Sequence, residues 1–482
     1  VRRFHSPILT LLLLAPLAGS VQQSSIRRLD GSAIASADID NAIARLMKAA
    51  EVPGVAIAVL DGGRIVYTKT YGYRDTETKA PLTPDSVMSA ASFTKSAYAY
   101  MVMQLVEQGR LDLDKPVVAY LPRPLPQYPA YPDLDGDDRS ARITARMLLD
   151  HTSGLPNLRF LEPDHKLRIH FEPGTRYAYS GEGMQLLQLV VETITNESST
   201  RLMDERVFRP LGMTHTSMVW QDRFDGNFAN GYDEYGRSLG PQKRTAPGAA
   251  GSMLTTASDY ARLLQAMFSR RDMLSPQIRI HSKHQFPTDS PETTTENDAI
   301  RLSYGLGWGL YWSAAGEAFF KEGHDDGWRN YAVGFVERKS GMVIMTNSGN
   351  GEGVFKDVLE TVLADTFTPL AWEGFTPYNT LPPRPPLPKH TVVQVSSATL
   401  DTYAGKYVVP GGVKVVLTIE RSGDHLTIQE NDEPKQTLLP ESATQFFSTT
   451  SDDVFRFELD AQGHVTHLVL HTDGQDIRMA RQ

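Results

Sequence analysis

Ala90-Ala91-Ser92-Phe93-Thr94-Lys95-Ser96 is the stretch on which the reading of this chain turns. A serine and a lysine three apart lie on one face of a helix, one above the other. A serine hydroxyl is a poor nucleophile until something takes its proton. A lysine held one turn away in a dry pocket can do so, because burial lowers an ammonium's pKa. If Ser92 opens the helix, the free N–H groups there favour developing negative charge. The residues that follow keep helical spacing (Tyr98, Met101, Val102, Leu105, Val106), and Gly109 is a good stop. Any helix can carry Ser-x-x-Lys by chance, so the motif needs partners elsewhere.

Working outward, residues 36–50 read as an amphipathic helix, with Ser36 as N-cap and Ile39, Ile43, Leu46 and Met47 on one face. Strands at 54–60 and 64–71 follow, joined by Asp61-Gly62-Gly63. Far downstream, 306–311, 331–336 and 342–347 read as strands and 354–367 as a closing helix. Residues 110–300 between them are mostly helical patterns broken by Pro, Gly and acidic loops. The expected fold is α+β, with one antiparallel sheet completed by both ends of the domain. Terminal helices flank that sheet, and a mainly helical subdomain is inserted in it. The domain is expected over 36–370.

Residues 381–389 hold five prolines in nine, a stiff extended linker within 371–394. Beyond it the period changes to two. Leu417 and Ile419 alternate with Thr418 and Glu420, and Phe455, Phe457 and Leu459 with Arg456 and Glu458. Turn signals recur at Ser422-Gly423-Asp424, Gln462-Gly463 and Asp473-Gly474. A small all-β barrel over 395–482 is expected.

Composition excludes several classes. The formal net charge of −9 argues against a nucleic-acid partner, which would need a basic face. With no cysteine, disulfides, thiolate metal sites and cysteine nucleophiles are excluded. Residues 1–20 read as a signal peptide: Arg2-Arg3, an apolar core over 8–17, then Ala18-Gly19-Ser20 for cleavage. The apolar run is too short to span a bilayer, so export without a stable membrane anchor is expected. Asp133-Leu134-Asp135-Gly136-Asp137-Asp138 resembles a calcium loop at first sight. It lacks Gly at position 6 and an acid at position 12, so it reads as a solvated loop. No Gly-x-Ser-x-Gly elbow occurs, which argues against an α/β-hydrolase.

Acyl transfer needs a nucleophile, a base, a proton donor for the leaving group and two N–H groups for the oxyanion. Tyr179 lies in a turn before a helical pattern at 184–194, and a tyrosine near a lysine cation loses its proton more readily. His324, within Lys321-Glu322-Gly323-His324-Asp325-Asp326-Gly327-Trp328, is placed to steady the lysine–tyrosine pair or a substrate carboxylate.

In these motifs the chain resembles the serine β-lactamase and penicillin-binding-protein superfamily, in its class C and S12-peptidase branch. Ser92-Phe93-Thr94-Lys95 resembles the family's first motif, and Tyr179-Ser180-Gly181 falls where it has Tyr-x-Asn. The 143–156 stretch ending His151-Thr152-Ser153-Gly154-Leu155-Pro156 resembles a segment of this branch, as do Leu211-Gly212-Met213 and Tyr304-Gly305-Leu306-Gly307-Trp308. The resemblance implies Ser92 as nucleophile, Lys95 and Tyr179 as proton carriers, and His324 in place of a lysine. It implies the N–H groups of Ser92 and Gly327 for the oxyanion, with Gly181 and Asp326 at substrate-binding positions. Gly181 stands where relatives have an asparagine that contacts the substrate amide, and Asp326 where glycine is usual.

The implied activity is hydrolysis of an amide or ester through an acyl-Ser92 intermediate, without metal or cofactor. Substrates are D-amino-acid-containing peptides first, small esters next, β-lactams third. Whether Lys95 or Tyr179 is the acylation base stays open at this level. The alternative class is a non-catalytic binding or sensor protein of the same fold. The barrel resembles the lipocalin-like domains of some S12 relatives.

Overall fold

The computed structural model describes residues 24–482 apart from 287–291, 385, 409–415, 431–434 and 473–474. The signal-peptide reading and the Asp473-Gly474 turn lie outside the described residues.

Period-two alternation in the first hairpin decides where the cores sit. Strand β1 (Gly54–Asp61) is buried along nearly its whole length and pairs antiparallel with β2 (Arg64–Asp75). Successive side chains of a strand point to opposite faces. Ala56, Ala58 and Leu60 therefore enter one apolar cluster, and Val55, Ile57 and Val59 another. A β-sheet with both faces buried must be covered twice. The first face is covered by the helical region, including α2 (Phe93–Glu107), α3 (Gly181–Thr195) and α4 (Ala257–Met267). The second is covered by α1 (Ser36–Ala50) and α5 (Phe355–Leu363). Ser36 is the first residue of α1 rather than its cap; Ala35 caps without a side-chain bond. Helix α5 stops four residues short of the expected end, where Ala364 turns left-handed at φ 58°.

Among the described residues the sheet has nine strands, all antiparallel. Its order is Ile278–Arg279, Ser303–Tyr304, β3 (Gly309–Ser313), β4 (Gly316–Asp325), β5 (Trp328–Phe335), β6 (Ser340–Thr346), β1, β2 and Ala80–Pro81. The two ends of the domain meet where β6 pairs with β1, Met342 opposite Val59 and Ile344 opposite Ile57. This is the expected antiparallel sheet completed from both ends. Strand β4 was not expected from sequence, and it is the strand that carries the site.

Past the linker, among the described residues, eight antiparallel strands between Gly405 and Arg481 close into a barrel. The helix Ser397–Tyr403, capped by Ser396, plugs it, and Leu400, Tyr403, Tyr407, Phe446 and Phe457 form its core. Among the described residues no helix is long and apolar enough to cross a membrane.

Candidate active site

Helix α2 does not have a polar face over its first three turns. Phe93 to Ala99 and Met101 to Met103 are all buried, as expected of a helix surrounded by protein. The strand Met88–Ser89 leads into it through Ala91, held at φ 48°. That left-handed turn is costly for a residue with a side chain. It sets Ser92 as the N-cap of α2, where the backbone N–H groups of the first turn point outward.

Lys95 Nζ lies 2.9 Å from Ser92 Oγ and donates to the Ala250 carbonyl at 2.6 Å. The lysine is 3% exposed. Burial, with the neighbouring Lys321 ammonium, pulls its pKa from 10.5 to about 7, against the opposing pull of Glu322.

Tyr179 is fixed by the turn that starts α3. Ser180 caps the helix, accepting from Gly183 N–H at 2.8 Å and donating to the Pro156 carbonyl at 2.9 Å. The backbone N–H of Ser180 donates to His151 Nδ1 at 3.3 Å, and the ring of His151 packs 4.5 Å from that of Tyr179. His151 is thus a buried support behind the tyrosine, kept neutral by burial and the two lysines. Tyr179 OH is hydrogen-bonded to Ser92 and accepts from Lys321 Nζ at 3.1 Å. The ammonium groups of Lys95 and Lys321 each lie 4.8 Å from its ring centre.

The third part of the site differs from the sequence reading. Lys321, not His324, reaches Tyr179. The His324 ring is 53% exposed and lies 3.4 Å from Glu352. The hairpin register explains this. Asp325 pairs with Trp328, leaving Asp326-Gly327 as a two-residue turn. Gly327 sits in that turn at φ 76°, and Asp326 is exposed at its tip. Neither lies on the run of β4 that faces Ser92. That run is Lys321-Glu322-Gly323. A Cβ on Gly323 would fall 2.6 Å from the Ala90 carbonyl, so the strand lies directly against the residues leading into Ser92.

Antiparallel partners alternate between hydrogen-bonded and non-hydrogen-bonded pairs. The pair closing a two-residue turn is hydrogen-bonded, so His324, opposite Arg329, sends its N–H away from β5. Strand β3 pairs with β4 only as far as Phe320, which leaves that edge open beside Ala90. That open edge carries the backbone N–H of His324, not that of Gly327, beside the residues leading into Ser92. Lys-x-Gly in Lys321-Glu322-Gly323 was the signal available in the sequence.

Gly181 is the first residue of α3, and its N–H donates to Asn157 O at 3.0 Å and Asn157 Oδ1 at 3.2 Å. A Cβ there would meet Asn157 O at 2.6 Å. The position excludes any side chain, and the carboxamide beside it comes from the loop after Pro156. Among the described residues no cluster of three or more His, Asp or Glu is arranged to hold a metal ion.

Residues 39–365 match the family model "Beta-lactamase", and 389–481 match a domain of unknown function, DUF3471. A penicillin-binding protein of Bacillus subtilis strain 168 is 23% identical over 463 residues, covering 88% of this chain and 94% of that one. "Protein flp" of Staphylococcus aureus strain NCTC 8325 is 23% identical over 327 residues, 64% of this chain; the match spans 62% of its length. Two solved structures share the fold at 20% identity. An octameric penicillin-binding protein homologue from Pyrococcus abyssi has a TM-score of 0.55, covering 92% of this chain and 99% of its own. A D-alanine carboxypeptidase AmpC from Burkholderia cenocepacia has a TM-score of 0.54, covering 67% and 98%.

Proposed function

Because the chain belongs to the β-lactamase family, we propose that it is an exported serine hydrolase of the class C and S12-peptidase branch, cleaving an amide or ester through an acyl-Ser92 intermediate. The observation that carries this is Lys95 Nζ, 2.9 Å from Ser92 Oγ, in a pocket that lowers its pKa to about 7. A lysine at that value is available as a base near neutral pH.

Neutral Lys95 takes the Ser92 proton as the hydroxyl attacks the substrate carbonyl. The N–H groups of Ser92 and His324 hold the oxyanion, each worth roughly 3–4 kcal/mol in such a site. Tyr179 then passes a proton to the leaving group and is replenished from Lys95. Burial pushes the Tyr179 pKa well above 10, and the Glu322 charge adds to this. In this reading the tyrosine is a neutral proton carrier and Lys95 is the base. The Lys321 ammonium stabilises negative charge that develops on the phenol. Water completes the cycle by hydrolysing the acyl-enzyme.

The favoured substrates are D-amino-acid-containing peptides, supported by likeness in fold to a D-alanine carboxypeptidase. His324 no longer contributes to that preference. Small esters are the second reading, favoured by Gly181, which leaves the turn before α3 without its own amide side chain. Export rests on the reading of residues 1–20.

A panel of nitrocefin, p-nitrophenyl esters and D- and L-aminoacyl amides, run on wild type and Ser92→Ala, tests the proposal. Turnover should vanish in the variant, and a fluorophosphonate should label Ser92. Equal turnover by both proteins would refute the assignment.

A further inference from the structure

Glu322 has no part in the steps above, yet it sits in the middle of the Lys-Glu-Gly run and is 4% exposed. A buried carboxylate is costly unless it is paired and hydrogen-bonded. Its Oε1 accepts from Lys321 Nζ at 2.5 Å. The same ammonium donates to Tyr179 OH at 3.1 Å, and that hydroxyl is bonded to Ser92. A continuous buried line thus runs from Glu322 through Lys321 and Tyr179 to the nucleophile. Directly across from Glu322, on β5, Tyr331 donates to Glu373 Oε2 at 2.6 Å.

On the serine-hydrolase reading, on which this inference rests, we propose that Glu322 is a positioning residue. It holds the Lys321 ammonium on the Tyr179 hydroxyl and so sets the pH range in which Lys95 and Tyr179 work.

Of the groups around Lys321, Glu322 acts on it most strongly, with Glu373 behind it. Tyr177, Tyr179, Tyr260, Tyr304 and Tyr331 are pushed up by burial and stay neutral. His151 is pushed down and stays neutral. Glu373 is pushed well up, first by burial and then by Glu322 itself. Burial lowers Lys321, and the Glu322 charge opposes that fall most strongly. Glu322 also opposes the fall of Lys95.

Removing the Glu322 charge therefore moves both lysines the same way, toward lower pKa. The acid limb of the rate profile, where Lys95 gains its proton, shifts down. So does the alkaline limb, where Lys321 loses its own.

The test compares the full chain with Glu322→Gln, Glu322→Asp and Glu373→Gln. It reads kcat/KM on a p-nitrophenyl ester from pH 5 to 10, thermal melting, and fluorophosphonate labelling of Ser92. Glu322→Gln should move both limbs down by roughly one unit or more, with about a tenfold loss on the alkaline side. Glu322→Asp keeps the charge and should hold the limbs closer to the wild-type position. Glu373 acts on Lys321 less strongly than Glu322 does, so Glu373→Gln should move the limbs less.

An unmoved profile in a folded Glu322→Gln overturns the proposal. Equal losses in the Gln and Asp variants without movement overturn it too, as does a profile moved as far by Glu373→Gln as by Glu322→Gln. Should Glu322→Gln fail to fold, Lys321→Met/Glu322→Gln removes the pair as a unit. The alkaline limb should then vanish, and its persistence refutes the inference. Wild type that neither labels nor turns over defeats the hydrolase reading itself. Labelled, active protein with an unmoved profile defeats the inference about Glu322 alone.

Discussion

His324 separates the backbone from the side chain as the contributor to catalysis. Its ring is half-exposed, with Glu352 3.4 Å away. An exposed pair of this kind contributes about 0–1 kcal/mol to stability. Its N–H points out of the β4–β5 ladder toward the open edge beside Ala90. Proline at such an edge position removes the donor without breaking a ladder bond. Gly323 before it is already in a strand, the conformation that a following proline favours. His324→Pro should therefore lose one oxyanion donor, about 10²–10³-fold in kcat or roughly 2.7–4 kcal/mol. His324→Ala keeps the N–H and should cost less than about threefold, the rate equivalent of roughly 0.6 kcal/mol. The assay is kcat and KM on a p-nitrophenyl ester, with melting curves to exclude unfolding. A hundredfold loss in the alanine variant would restore the side-chain role that the sequence suggested. Full activity in a folded proline variant would remove the N–H from the oxyanion site.

Three further outcomes follow from the same geometry. With Lys95 at about 7 and needed neutral, kcat/KM should fall close to tenfold per pH unit below about 7; a flat profile from pH 5.5 to 8 contradicts the base assignment. Gly323→Ala puts a methyl 2.6 Å from the Ala90 carbonyl and should cost about 1–3 kcal/mol of stability. A 1 Å displacement of β4 would also cost roughly a hundredfold in rate, so a fully active, equally stable variant refutes the close approach. Lys321→Met leaves Glu322 buried without its cation and should destabilise by about 3–5 kcal/mol. Adding Glu322→Gln should recover most of that in a denaturant titration.

The parts of the site that could be read from sequence are those written in local signals. Ser92 and Lys95 stand one helical turn apart at a helix start, and Tyr179 stands just before a helix that Ser180 caps. The outer frame was legible for the same reason, since β1, β5 and β6 are apolar runs bounded by turns. Strand β4 was hidden because Gly-Glu-Ala-Phe-Phe-Lys-Glu-Gly-His-Asp shows no alternation of apolar and polar residues. Lys321 and Glu322 are both buried, as a pair in which each charge answers the other. Without the strand there was no parity to say which residues face Ser92. By residue type alone His324 and Gly327 stand out, although neither belongs to the Lys321-Glu322-Gly323 run. Asn157 beside Gly181 was hidden in another way: the loop after Pro156 supplies it, across 24 residues of chain, by backbone bonds that no residue type announces. The chemistry was obscured where charges cancel in the interior, and at those positions strand register carries more information than residue type.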